Sequence, residues 1–129
     1  MKNGYVLNIE KETLENVDYR RVLYTANGVQ LVLMSVEIGG EIGEEVHHLD
    51  QFIRVEQGEA AVTIDGVRHE ICAHWAVIVP RGAKHNVVNI GKEPLKLYTL
   101  YGPPAHLLTT VQPTKADEKE EHFDGKTTE

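Results

Sequence analysis

Residues 59–72, EAAVTIDGVRHEIC, decide the fold class. Ala60, Val62 and Ile64 alternate before Asp65–Gly66, and Val67, His69 and Ile71 alternate after it. Successive side chains of a strand point to opposite faces. An Asp-Gly pair supplies the positive φ angles that a tight type I′ hairpin needs. The segment therefore reads as two antiparallel strands sharing one inward face. The same pattern extends in both directions. Runs at 21–25, 29–38, 42–48, 51–57, 75–79, 85–90 and 94–101 are rich in Val, Ile, Leu, Tyr and Thr, with turn residues between several of them. Asn27–Gly28 is predicted to be a second tight hairpin. Ahead of these lie a short apolar run at 5–9 and, within 10–20, a loose turn or short helix.

Many short strands with no helix among them predict an all-β sandwich or barrel. Gly102-Pro103-Pro104 stops the last strand, because Pro cannot donate to a ladder. Residues 114–122, TKADEKEEH, suit a short charged helix capped by Thr114, and the final residues form a polar tail. Phe123 is the one large apolar residue there; it docks onto the barrel or a partner chain, or else the tail is disordered. The expected division is a barrel over 1–112 and an acidic helix or tail over 113–129.

At 129 residues there is room for one domain that buries about two-thirds of its unfolded surface. The net charge of −7 and the dispersed Lys and Arg argue against nucleic acid, whose phosphates demand a basic surface. Cys72 is the only cysteine, so no internal disulfide is possible and no oxidising compartment is required. It carries no activating motif and is expected to be an inert, partly buried thiol. The first 19 residues have neither the apolar run of a signal peptide nor that of a membrane span. A cytoplasmic location with no membrane partner is the default expectation.

Two segments stand apart from the β background. The first runs from Gly39 through Glu45, His47 and Gln51 to Gly58; the second runs from Pro80 through Gly82 and His85 to Asn89. Their spacing resembles the two motifs of the cupin superfamily, G-x5-H-x-H-x3,4-E-x6-G and G-x5-P-x-G-x2-H-x3-N. The second motif matches from its proline onward, and His74 replaces its leading glycine. The first keeps both glycines, its second histidine and all spacings, with Glu45 in place of the first histidine and Gln51 in place of the glutamate. The resemblance spans about residues 29–101. It implies a double-stranded β-helix, the jelly-roll barrel, and a divalent metal ion held by Glu45, His47, Gln51 and His85.

The residues read alone agree. Glu45 and His47 share one face of a strand, while Val46 and His48 share the other. Gln51 begins a strand whose same-face neighbours are Ile53 and Val55. His85 opens a strand after the Pro80–Gly82 turn, with Val87 and Asn89 on its face. Two imidazoles and a carboxylate make a facial set with open positions, and Gln51 adds a neutral amide oxygen. Fe(II), Mn(II), Ni(II) and Zn(II) all suit these donors. Pro80, Gly82 and Asn89 are expected to be structural. His74 belongs in a turn, Arg68 and His69 face solvent, and His106 lies in a surface loop rather than over the barrel mouth. Phe52, Arg54, Glu56 and Val46 face outward. Cover for Phe52 and Val46 comes from the N-terminal segment or a second subunit, and single-domain cupins are commonly homodimers, so a homodimer is expected.

The resemblance implies the fold more strongly than the reaction, because a fold does not set a function. A metal with open positions in an apolar barrel suits a small oxygenated organic ligand. Three readings follow: a metal-dependent enzyme of dioxygenase or isomerase type, a non-catalytic module that binds a small ligand or metal, and a sugar-phosphate isomerase or epimerase. The scarcity of paired basic residues near the motifs disfavours the last.

Overall fold

The computed structural model describes residues 2–129. The helix α1 (Ile9–Glu15) comes first, and ten strands follow: β1 (Arg20–Thr25), β2 (Gln30–Val36), β3 (Glu45–Val46), β4 (Asp50–Gln57), β5 (Glu59–Ile64), β6 (Val67–Cys72), β7 (Ala76–Val79), β8 (Lys84–Asn89), β9 (Leu95–Gly102) and β10 (Val111–Gln112). A single 3-10 turn, Lys115–Asp117, follows β10. One sheet has the order β10-β1-β2-β9-β4-β7 and the other β3-β8-β5-β6, all pairs antiparallel. The two inner faces enclose one core, the arrangement of a jelly-roll barrel. Val32, Met34, Ile53, Val55, Val62, Val87, Leu95 and Leu97 fill it, each at most 1% exposed. Each such side chain contributes about 1.5–3 kcal/mol by leaving water.

The β5–β6 hairpin turns as its sequence requires: Asp65 and Gly66 have φ of 45° and 83°. Asn27–Gly28 joins β1 to β2 differently. Neither residue has positive φ, and the strands are closed by the Ala26 amide donating to the Val29 carbonyl at 2.9 Å. One conformational signal did survive a change of residue. His74, where the motif places glycine, keeps a φ of 75°, in a turn that the Trp75 amide closes on the Cys72 carbonyl. Asn89 is buried, and its side-chain amide donates to the carbonyls of Val36 at 3.0 Å and Glu93 at 2.9 Å.

Asn8 caps α1 by accepting from the Lys11 amide at 3.1 Å. The helix packs against β4 and β9, and the buried Lys96 ammonium donates to the Asn16 carbonyl. On β4 the outward pattern leaves Phe52 and Arg54 half-buried, whereas Glu56 is buried. The Glu56 side chain, two residues on from Arg54 and 2.7 Å from its Nε, is only 2% exposed, beside a register irregularity between Val55 and Gln57. Cys72 is exposed at the end of β6, not partly buried. The expected C-terminal helix shortens to Lys115–Asp117, whose start is fixed by the Thr114 amide and hydroxyl, both donating to Asp117 Oδ2. No helix among the described residues is long and apolar enough to cross a membrane.

Candidate metal centre

The Pro80–Ala83 turn builds the site. Ala83 N–H donates to the Pro80 carbonyl at 3.1 Å, and Gly82, at a φ of 85° that favours glycine, donates its N–H to the His47 carbonyl at 2.9 Å. That bond sets the backbone of His47 beside the strand that carries His85. Pairing of β3 with β8 then places Glu45 directly opposite His85. One ligand atom from each of Glu45, His47 and His85 lies within 4.8 Å of the others. The two imidazoles are 5.2 Å apart between centroids. His48 is exposed and is not among the three converging donors.

Gln51 is buried at the start of β4, paired with Tyr101 on one side and Val79 on the other. Its Nε2 donates to Thr99 Oγ1 at 3.0 Å, and its Oε1 has no hydrogen-bond partner among the described residues. Tyr101 presents its ring nearly edge-on to His47, at 5.7 Å and 81°.

The donors suit a divalent cation. A carbonyl only accepts, so the 3.0 Å contact of His85 Nδ1 with the Ala83 oxygen places the proton on Nδ1 and leaves the Nε2 lone pair free. His47 Nε2 lies 2.6 Å from Glu45 Oε2, yet lacks the geometry of a hydrogen bond. Two groups converging on one point, next to an orphaned amide oxygen, form a set of acceptors for a cation to complete. Burial alone raises the pKa of Glu45. The close His47 nitrogen, and then the Arg20 charge, outweigh it and hold the carboxyl below the usual range.

Four residues here, His106, Arg20, Tyr19 and Tyr101, were not assigned to the site from the sequence. His106 stands edge-on to Tyr101 at 5.2 Å, its backbone clamped by Gln30: the His106 amide donates to Oε1 at 2.9 Å, and Gln30 Nε2 donates to its carbonyl at 2.8 Å. It is part of the mouth and not a free surface loop. Burial, and then the Arg20 charge, push its imidazole down to about 3. Arg20 is buried at the start of β1, with Nη1 donating to Gln112 Oε1 at 2.9 Å and to Glu118 Oε2 at 2.8 Å. Burial pushes the phenols of Tyr19 and Tyr101 strongly upward, so both stay protonated. The sequence held one cue: Gln30, polar and fully buried in an apolar strand, marks the place where the returning chain is gripped. A cleft of about 760 Å³ opens over Glu45 and His47, walled by residues 103–106 and by the C-terminal segment from Glu118 to Phe123.

Comparison with known proteins agrees with this architecture. The cupin domain family matches residues 32–101. The uncharacterised protein YrkC of Bacillus subtilis is 42% identical over 120 residues, which are 88% of this chain and 64% of YrkC. A Bacillus halodurans protein of known crystal structure superposes with a TM-score of 0.88 at 43% identity, over 90% of this chain and 93% of that one. The 4-deoxy-L-threo-5-hexosulose-uronate ketol-isomerase of Salmonella paratyphi B is 36% identical over 96 residues, 68% of this chain and 33% of the enzyme. The chain thus spans less than two-thirds of YrkC and about one-third of the ketol-isomerase.

Proposed function

This chain belongs to the cupin family, and we propose that it binds a divalent metal ion through Glu45, His47 and His85, with Gln51 as a fourth oxygen donor, and isomerises a small hydroxy-carbonyl compound. The observation that carries this reading is the convergence of three donor atoms within 4.8 Å at the mouth of an apolar barrel. The ketol-isomerase relative, by its name, performs that type of reaction on a uronate, and it supports the same type here. Ketol isomerisation moves a hydrogen from the carbon bearing the hydroxyl to the neighbouring carbonyl carbon, and the hydroxyl proton to the carbonyl oxygen, so no external oxidant or reductant is consumed.

When bound, a divalent ion supplies Lewis-acid polarisation of the carbonyl and adjacent hydroxyl oxygens. The chain supplies the rest. The Ala83 carbonyl fixes the tautomer and orientation of His85. Glu45, held ionised at neutral pH, can accept the carbon-bound proton on a carboxylate oxygen and return it to the adjacent carbon. Tyr101 and Gln51 shape the polar floor, and Ile53, Val55 and Leu97 close the barrel below it against water.

Metal-stripped protein reloaded in turn with Mn(II), Fe(II), Ni(II) and Zn(II) is the test, using aldose and ketose substrates in D2O and proton NMR. Solvent deuterium appearing at the carbon next to the carbonyl, together with the isomeric product, is the expected result. No exchange and no product with any metal removes the isomerase reading. Oxygen uptake by the Fe(II) form with catechol-like or 1,3-dicarbonyl compounds would transfer support to a dioxygenase.

A further inference from the structure

Arg20 is 3% exposed, and a guanidinium removed from water requires a compensating negative charge. That charge comes from Glu118, on the C-terminal segment. Its Oε2 accepts from Arg20 Nη1 at 2.8 Å and lies 3.3 Å from the Tyr19 hydroxyl, whose one proton is shared with the Ile42 carbonyl at 3.2 Å; Oε1 lies 3.8 Å from Lys115 Nζ, which also donates to the Ile42 carbonyl. One carboxylate is thus met by a guanidinium, a phenol and an ammonium. Unlike the buried Arg20 and Tyr19, Glu118 reaches solvent: its side chain is 34% exposed, and it follows the 3-10 turn in extended backbone. Arg20 Nε is buried with no partner among the described residues, so the guanidinium is not fully satisfied by Glu118 and Gln112. Arg20, Lys115 and Glu118 line the same cleft as Glu45 and His47.

We propose that Arg20, Tyr19 and Lys115 form a carboxylate-binding subsite beside the metal centre, which Glu118 fills until the carboxylate of an acidic substrate replaces it. The inference deepens the isomerase reading and rests on it for what happens at the other end of the ligand: the substrate is a small hydroxy-carbonyl acid whose carboxylate sits on Arg20 while its ketol faces Glu45, His47 and His85. The cleft rim also carries Glu44, Glu120 and Glu121, all exposed. Their repulsion is screened over about 8 Å at physiological ionic strength, whereas pairing with a desolvated guanidinium is not. Recognition therefore depends on contact at Arg20 rather than on long-range attraction.

Calorimetric titration of metal-stripped protein with D-glucuronate, D-glucose and D-glucose 6-phosphate tests the subsite apart from any reaction. Glu118→Gln keeps an amide oxygen for the Arg20 and Tyr19 hydrogen bonds and removes only the competing charge. It is expected to bind glucuronate about tenfold tighter than the wild type, or more, with no gain for glucose. Adding Arg20→Gln to Glu118→Gln abolishes the gain; if that double variant does not fold, Lys115→Gln in the same background is expected to reduce it. Equal glucuronate affinity in wild type and Glu118→Gln overturns the proposal, as does an equal gain for glucose. A gain for the phosphate but not for glucuronate overturns the carboxylate assignment. A glucuronate gain in protein that shows no isomerisation with any metal leaves the subsite standing and removes the reaction. Isomerisation without the gain does the reverse.

Discussion

Followed along a single strand, the inside of the barrel changes character between one end and the other. On β4 the inward positions run Gln51, Ile53, Val55; on β9 they run Tyr101, Thr99, Leu97, Leu95; on β8 His85 gives way to Val87. The two-residue period is the same throughout, so one pattern builds both regions. Deep in the barrel it places branched aliphatic side chains that pack and leave no polar atom to satisfy. At the mouth the same positions carry an amide, a phenol and an imidazole, and there buried polar atoms stand without partners: Gln51 Oε1, His47 Nε2 and His106 Nε2. Such atoms cost stability. Their clustering at one end, on strands held rigid by the other, is what a site requires.

The division is open to attack from either side. Leu97→Ala removes a fully buried side chain from the deep end and is expected to cost about 2–5 kcal/mol in urea denaturation, with metal bound per folded molecule unchanged. A drop in metal content would show that the two regions are not separable. At the mouth, His106 is held neutral. Its ordinary value of 6.5 falls to about 3 in the folded protein, so below pH 6.5 the unfolded chain binds a proton that the folded chain refuses. Stability is therefore fully present above that pH and falls toward pH 3, by roughly 2 kcal/mol between pH 7 and 5. In the metal-stripped protein, His106→Gln is expected to flatten that part of the profile. A parallel profile would mean that His106 does not titrate as a buried group.

Smaller effects sharpen the boundary of the site. Gln51→Glu replaces a neutral amide oxygen by a carboxylate and is expected to tighten Mn(II) or Zn(II) about tenfold by competition with a chelating dye. Unchanged affinity would mean that Gln51 serves only Thr99. His48→Ala, one residue from His47 but exposed and outside the converging donors, is expected to alter neither metal binding nor stability beyond about 0.5 kcal/mol.

These contrasts also explain what was legible in the sequence. Alternation revealed the strands, because the two-residue period is local, and the spacings of Glu45, His47, Gln51 and His85 revealed which residues share a face. The β5–β6 turn was legible for the same reason, since Asp65–Gly66 specifies its own backbone. What local pattern could not reveal was contact made over long separations. His106 reaches the mouth because Gln30 grips its backbone, and Arg20 is buried because Glu118, 98 residues on, neutralises it. Glu56 is buried and paired with Arg54, a burial that alternation alone does not reveal. Asn27–Gly28 shows the converse: a strong turn signal need not set the dihedral angles when the flanking strands close the loop another way.

The most direct test of the metal centre is isothermal titration of metal-stripped wild type, Glu45→Ala, His47→Ala and His85→Ala with Mn(II) and Zn(II), together with elemental analysis of each protein as purified. The expected result is one ion per chain in the wild type, with affinity lowered about 100-fold or more in each variant. Wild-type stoichiometry and affinity in both His47→Ala and His85→Ala would contradict the site.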